Sequence, residues 1–306
     1  MVEDVNLSTV TILGAGVIGT SIALALRRNG IGVRLSDPDS AARQRALALE
    51  AGTVLSPADP PADVVVVACP PSAVVAALAG AMRAGLGTVY TDVASAKERI
   101  VAEAAAAGLD MSRYVPGHPV AAGDIAAPAA VDAEMFAGRP WFLCASTESA
   151  PAAVDAAAAL ATACGARVQR VTPKAHDRHM AGVSHVPRLI GAALAARFAD
   201  VDGERFPVRG SRFHTTLADA AAAPALWGDT LEHNADHVAD ELDWIVRELS
   251  VVADALRGTE ANPVPELEGL LARGRLGHDR VVRHGRARSP RGDGVPGPED
   301  EWFWTW

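Results

Sequence analysis

Residues Val10 to Thr20 run Val-Thr-Ile-Leu-Gly-Ala-Gly-Val-Ile-Gly-Thr, an apolar strand, a glycine turn and the opening of a helix in eleven residues. Gly14, Gly16 and Gly19 fit G-x-G-x-x-G, in which the first glycine permits the turn, the second admits a pyrophosphate to the backbone, and the third lets helix and strand pack closely. Free N–H groups and the positive end of the helix dipole, here at Val17 and Ile18, then face the phosphates. Chains rich in Ala and Gly produce such spacing by chance, so the context matters. A helical pattern (Ile18, Ile22, Leu26) follows, then a second strand from Ile31 to Leu35 that ends at Asp37. That places a carboxylate where the two ribose hydroxyls of NAD need an acceptor and where the 2′-phosphate of NADP would be repelled. The cofactor expected is NAD.

The chain, 306 residues long, can carry two domains and a large core. Its net charge of -9 argues against a nucleic-acid partner, which needs a basic face. No apolar run reaches membrane-spanning length and no basic-then-apolar leader is present, so a cytoplasmic location is expected. Cys69, Cys144 and Cys164 lack C-x-x-C spacing and read as reduced thiols, with no metal site implied.

Strands and helices alternate up to about residue 172. Asp63 to Val67 is nearly all Val, as in a strand buried on both faces, and its end at Cys69-Pro70 puts a loop at the carboxyl edge of the sheet, where open α/β sheets bind ligands. Further strands are expected at 88–93, 114–120, 141–144 and 166–171, with helices at 41–51, 73–84 and 150–164. The expected fold is therefore α/β, a Rossmann-type doubly wound sheet over 1–172. After Pro173 the patterns are helical only, notably 183–198 and 230–256, which gives an all-helical domain over 173–257. Leu231, Val238, Leu242, Ile245, Leu249 and Val252 form a stripe that can pack within the chain or across a dimer. Residues 258–306 read as an irregular tail, with a poorly ordered basic run from Arg280 to Arg291 and an aromatic end holding Trp302, Trp304 and Trp306.

Four motifs in order resemble the prephenate dehydrogenase family, including its arogenate-using relatives. They are Thr91-Asp-Val-Ala-Ser-Ala-Lys97, Gly117-His-Pro-Val-Ala121, His176-Asp177 followed by Val183-Ser-His-Val-Pro187, and Pro224-Ala-Leu-Trp-Gly-Asp229 with Asn234. The resemblance covers about residues 9 to 257. It implies a nucleotide-binding domain followed by a helical dimerisation domain, hence a homodimer, and NAD-dependent oxidation of a cyclohexadienyl carboxylate at C4 with loss of CO2. His118 matches the catalytic histidine, a neutral imidazole that polarises the C4 hydroxyl. Ser95 matches the serine that binds the same hydroxyl, although a Ser before a helix can equally be an N-cap. His185 matches a histidine of the substrate pocket, or is a satisfied core residue. His176 and Asp177 read as capping the first helix of the second domain.

Two positions depart from the resemblance. Arg188 stands where a second histidine is usual, and Leu217 stands where the family has an arginine that clamps the ring carboxylate. A carboxylate entering a dry pocket needs a partner, so Arg188 is the expected substitute clamp and Arg212 the second candidate. Otherwise the substrate differs, as with 4-amino-4-deoxyprephenate, or the chain is a weakened NAD-binding homologue. A β-hydroxyacid or imine reductase shares the domain plan, but its lysine element has no match here. No regulatory module is expected after the helical region.

Overall fold

The computed structural model describes residues 6–121, 130–200, 213, 217, 224–258 and 264–287. The first body, which runs to His237, is built on β1 (Thr9–Leu13), α1 (Val17–Arg28), β2 (Gly32–Ser36), α2 (Ser40–Ala48), β3 (Thr53–Val54), β4 (Ala62–Val67), α3 (Pro71–Arg83), β5 (Gly87–Asp92) and α4 (Glu98–Ala106). The five strands are all parallel in the order β3-β2-β1-β4-β5, so the chain reverses direction across the sheet between β1 and β4. Ligands of such sheets bind at that reversal, outside the carboxyl ends of the strands. Val64, Val65, Val66 and Val67 are all fully buried, as a central strand covered on both faces requires.

Helix α1 buries Ile22 and Leu26 against the same cluster that holds Val10, Ile12, Val64 and Val66. The glycines make that approach possible. A Cβ at Gly14 would stand 2.1 Å from the Ala68 carbonyl oxygen, and one at Gly19 would stand 2.0 Å from that of Gly14. Gly14 also takes a φ of 115°, a conformation other residues rarely adopt.

The sheet then changes character. Tyr114 pairs with Tyr90 of β5 in parallel, and two residues later the chain turns into β6 (Gly117–Pro119). This strand runs antiparallel to β7 (Pro140–Leu143), which pairs in parallel with β8 (Arg167–Arg170) across α5 (Pro151–Ala163). The expected single strand 114–120 is thus two short pairings, because Pro116 and Pro119 cannot donate to a continuous ladder.

The helical part comprises α6 (Pro173–Met180), α7 (Val186–Ala196), α8 (Pro224–His233), α9 (Ala235–Leu256) and α10 (Val264–Ala287). Both long helices expected here are interrupted. A π-helical turn, Ala181–His185, separates α6 from α7, and Pro187 is the reason, since it has no N–H for the carbonyl four residues back. Asn234 separates α8 from α9, its side-chain amide drawn off to Asp177 and His185.

Helix α10 corrects the expectation of an irregular tail. Pro265 and Glu266 open it in the positions that suit a helix start, and its chain carries the basic residues Arg280 and Arg283. In the second body, from Val238 onward, Glu248 and Arg273 form an ion pair. Leu249, expected in the packing stripe, is 54% exposed, as are Trp244, Val246 and Val251 to similar degrees. Among the described residues, no helix is long and apolar enough to cross a membrane. The three terminal Trp residues lie outside the described residues.

Candidate active site

The residues with chemistry gather at the carboxyl edge of β1, β4 and β5. Helix α1 begins at Val17 with no side-chain cap and no acid in its first turn, which leaves its positive end available for an anion. No atom outside the local chain lies within 4 Å of where a Cβ of Gly16 would be, so a diphosphate has room beside the backbone. These features suit a dinucleotide. Asp37 stands just past β2, and its carboxylate accepts the Ala15 N–H at 2.6 Å and the Asp39 N–H at 2.7 Å. It braces the glycine turn. Cys69 and Pro70 follow β4, and burial together with the Asp92 charge pushes the Cys69 thiol up to about 12, so it remains protonated.

Strand β5 delivers Asp92 and, in the turn beyond it, Ser95 and Lys97. Lys97 and Asp92 have no exposed side-chain surface and form a buried ion pair. The Lys97 ammonium also donates to the Gly117 carbonyl at 2.9 Å, while Tyr114 donates its hydroxyl to Asp92 at 2.6 Å. The pair thereby locks the end of β5 to the strand carrying His118. Gly117 has to be small there, since its Cβ would stand 2.7 Å from the Asp92 carbonyl oxygen.

Ser95 is half-buried in this turn and is not a cap, because α4 starts three residues later at Glu98. The cap comes from far along the chain. The Asp177 carboxylate accepts N–H bonds from Lys97 at 2.8 Å and Glu98 at 2.7 Å. The expectation that His176 and Asp177 cap their own helix is therefore corrected, since the Thr172 hydroxyl does that through Ala175 N–H.

His118 is 8% exposed on β6, and its Nδ1 lies 2.8 Å from Nε2 of the buried His176. His176 Nδ1 lies in turn 2.7 Å from Asp177 Oδ1. Burial first, then the neighbouring His176 and Lys97, hold His118 well below the ordinary histidine range, so its imidazole is neutral. His176 is lowered likewise, by burial and then Lys97.

His185, fully buried at the end of the π turn, accepts at Nδ1 from the Asn234 amide 3.0 Å away. The same amide donates to the Asp177 carbonyl at 2.8 Å, which fixes its orientation. His185 Nε2 therefore carries the proton, and it is a buried donor with no partner among the described residues. Its pKa falls to about 4 through burial, with Asp177 opposing and Arg188 assisting. Arg188 lays its guanidinium over the Trp227 ring, 3.8 Å from the centroid, and Trp227 is in edge contact with His185. Leu217 is half-buried, and Arg212 lies outside the described residues.

The sequence reading brought Ser95, His118 and His185 to notice but missed Asp92, Lys97 and His176 as working parts. The available signal was the pairing of Asp92 and Lys97 around Ser95 in one motif.

Residues 22–170 match the family model described as prephenate dehydrogenase, nucleotide-binding domain, and residues 172–271 match its dimerisation domain. The chain is 34% identical over 281 residues to the probable prephenate dehydrogenase NovF of Streptomyces niveus, covering 89% of this chain and 77% of that one. It is 28% identical over 257 residues to the prephenate dehydrogenase of Bacillus subtilis, covering 80% and 69% respectively. A crystal structure of prephenate dehydrogenase from A. aeolicus, in complex with hydroxyphenyl propionate and NAD+, shares the fold with a TM-score of 0.77 at 21% identity, over 92% of this chain and 99% of that one. Synechocystis arogenate dehydrogenase superposes with a TM-score of 0.70 at 21% identity, over 89% and 99%. With two family models spanning most of its length and a relative above 30% identity, the chain belongs to the prephenate dehydrogenase family.

Proposed function

We propose that this chain is an NAD-dependent dehydrogenase of a cyclohexadienyl carboxylate, prephenate or arogenate, yielding 4-hydroxyphenylpyruvate or tyrosine and CO2. The observation that carries the reading is His118, a neutral imidazole on β6 next to Gly117, which lies against the end of β5; its Nδ1 is already engaged, leaving Nε2 for a substrate. Gly14, Gly16, Val17, Ile18, Gly19, Asp37, Cys69 and Pro70 are the proposed cofactor contacts. Bound NAD supplies the acceptor for the hydride that leaves C4.

His118 Nε2 takes the proton of the C4 hydroxyl as that carbon is oxidised, with Ser95 as a second partner of the same hydroxyl. The bond to the ring carboxylate then breaks, its electron pair completes the aromatic ring, CO2 departs, and the phenolate oxygen recovers the proton from His118. No net proton is consumed. A dry pocket must still hold the substrate carboxylates, and with Leu217 in place of a cation, the donors proposed are His185 Nε2–H and the Arg188 guanidinium. Two copies associate through the exposed apolar residues of α9.

A second substrate to set beside these is the 4-amino analogue of prephenate, in which His118 would meet an amine. Steady-state NADH formation on prephenate, arogenate and the amino analogue decides among the three. His118→Asn should lower kcat by about 10²–10⁴ on the preferred substrate. Tight NAD binding without turnover on any of them would overturn the enzyme reading.

A further inference from the structure

Among the described residues, a buried chain of titratable groups that the proposed chemistry leaves unused runs behind His118. Asp177 on α6 is its fixed end. Its carboxylate already accepts two backbone N–H groups at the head of α4, from Lys97 and Glu98, and a carboxylate has no proton to offer, so facing His176 Nδ1 at 2.7 Å it can only accept. His176 must then carry its proton on Nδ1, and its Nε2 is a lone pair. That lone pair faces His118 Nδ1 at 2.8 Å, so His118 must donate, and its own lone pair is forced onto Nε2.

We propose that His176 and Asp177 are positioning residues that set the tautomer of His118, so that its Nε2 always meets the substrate as a base. The inference rests on the dehydrogenase reading only for the substrate step, because the tautomer itself is a property of the free protein. In the other tautomer Nε2 carries a proton and cannot accept one, which disables the base without moving it. A second consequence follows from Asp177 capping α4 and, through its backbone carbonyl, holding Asn234. The group that sets the tautomer also ties the turn carrying Ser95 to the helix break that orients His185.

The discriminating variant is Asp177→Asn. Placed where Oδ2 lies, its single oxygen keeps the Glu98 N–H at 2.7 Å and the Lys97 N–H at 3.0 Å, and its amide nitrogen then faces His176 Nδ1 and donates. His176 then moves its proton to Nε2, and His118 moves its own to Nε2 as well. The groups facing His118 are His176 and His179 from α6, Lys97 from the turn after β5, and His185, with Phe142 on β7 completing the wall. A companion variant, His176→Gln, keeps an oxygen able to accept from His118 Nδ1–H.

The experiment is 15N NMR of the free protein labelled at histidine, with His118 assigned by its absence in His118→Asn, alongside kcat and KM on the best substrate. The wild type should show His118 protonated at Nδ1. Asp177→Asn should show it protonated at Nε2, with kcat down by a hundredfold or more and KM for NAD within twofold. His176→Gln should retain the Nδ1–H form and at least a tenth of the wild-type kcat, while His176→Leu should lose both. Should the wild type hold the proton on Nε2, or Asp177→Asn leave the tautomer as it was, the inference is overturned. Failure of the wild type to turn over any substrate would instead refute the dehydrogenase reading, with the NMR result standing by itself.

Discussion

Replacing Lys97 by Met should destabilise the protein more than almost any other single change outside the hydrophobic core. Lys97 and Asp92 have no exposed side-chain surface. Without the ammonium, Asp92 keeps, among the described residues, the Ala94 N–H at 2.9 Å and the Tyr114 hydroxyl at 2.6 Å, and the Gly117 carbonyl loses its 2.9 Å donor. Breaking one side of a buried ion pair costs about 3–5 kcal/mol, because the remaining charge is stranded away from water. A domain stability of about 5–15 kcal/mol makes this a large fraction of the whole, and the expected fall in Tm is on the order of 10 °C.

The assay is urea unfolding at pH 7.5 for Lys97→Met, Asp92→Asn and the double variant. The double variant should recover about 2 kcal/mol over Lys97→Met, since the amide that replaces the Asp92 carboxylate can still accept from the Ala94 N–H and can donate to the Tyr114 oxygen. A second readout is catalytic. The Lys97 charge is one of the causes that keep His118 neutral, after burial and His176, so its loss should move the acid limb of kcat/KM to higher pH. A cost below about 1 kcal/mol, or a double variant no more stable than Lys97→Met, would refute the claim that the pair is what locks β5 to β6.

Two further outcomes are expected. His118, His176 and His185 are buried and have folded-state pKa values below the ordinary 6.5, His185 at about 4, so the unfolded chain binds protons that the folded chain refuses. Their stabilising effect is complete above the unfolded value and is lost as pH falls through 6.5 towards the folded values. For His185 the loss between pH 7 and 5.5 should be about 1 kcal/mol, and His185→Gln should show a correspondingly shallower acid loss in urea midpoints; an equally steep loss would mean His185 titrates normally. Arg188→Leu should raise KM for the carboxylate substrate by about tenfold to a hundredfold, with KM for NAD unchanged, since a charged hydrogen bond contributes about 1.5–3 kcal/mol; an unchanged kcat/KM would place the clamp elsewhere.

Much of this protein is local, and local features are legible in a sequence. The glycine turn depends on contacts between Gly14, Gly19 and the strand ends beside them, and the valine run of β4 reports burial directly through residue type. The motif around His118 marked the candidate catalytic histidine for the same reason, since residue identity carries the chemistry. Helix continuity was less legible. Periodicity ran straight through Pro187 and Asn234, and the partners of the Asn234 amide at the second break, Asp177 and His185, lie far away along the chain. Residues 264–287 misled in the other direction, because frequent glycine and a basic run look like irregular chain while the end signals at Pro265 and Glu266 suffice for a helix.

What the sequence determined alone is the dinucleotide-binding half and the candidate for the base, because both follow from short stretches whose residue types have few alternative uses. Tertiary structure alone decided what stands behind that histidine. His118, His176 and Asp177 form one hydrogen-bonded line although 58 residues separate the two histidines, and Lys97 reaches the same place from 80 residues before Asp177. Hydrogen bonds act over about 3 Å, and no pattern along the chain records which distant donors the fold will bring within that distance.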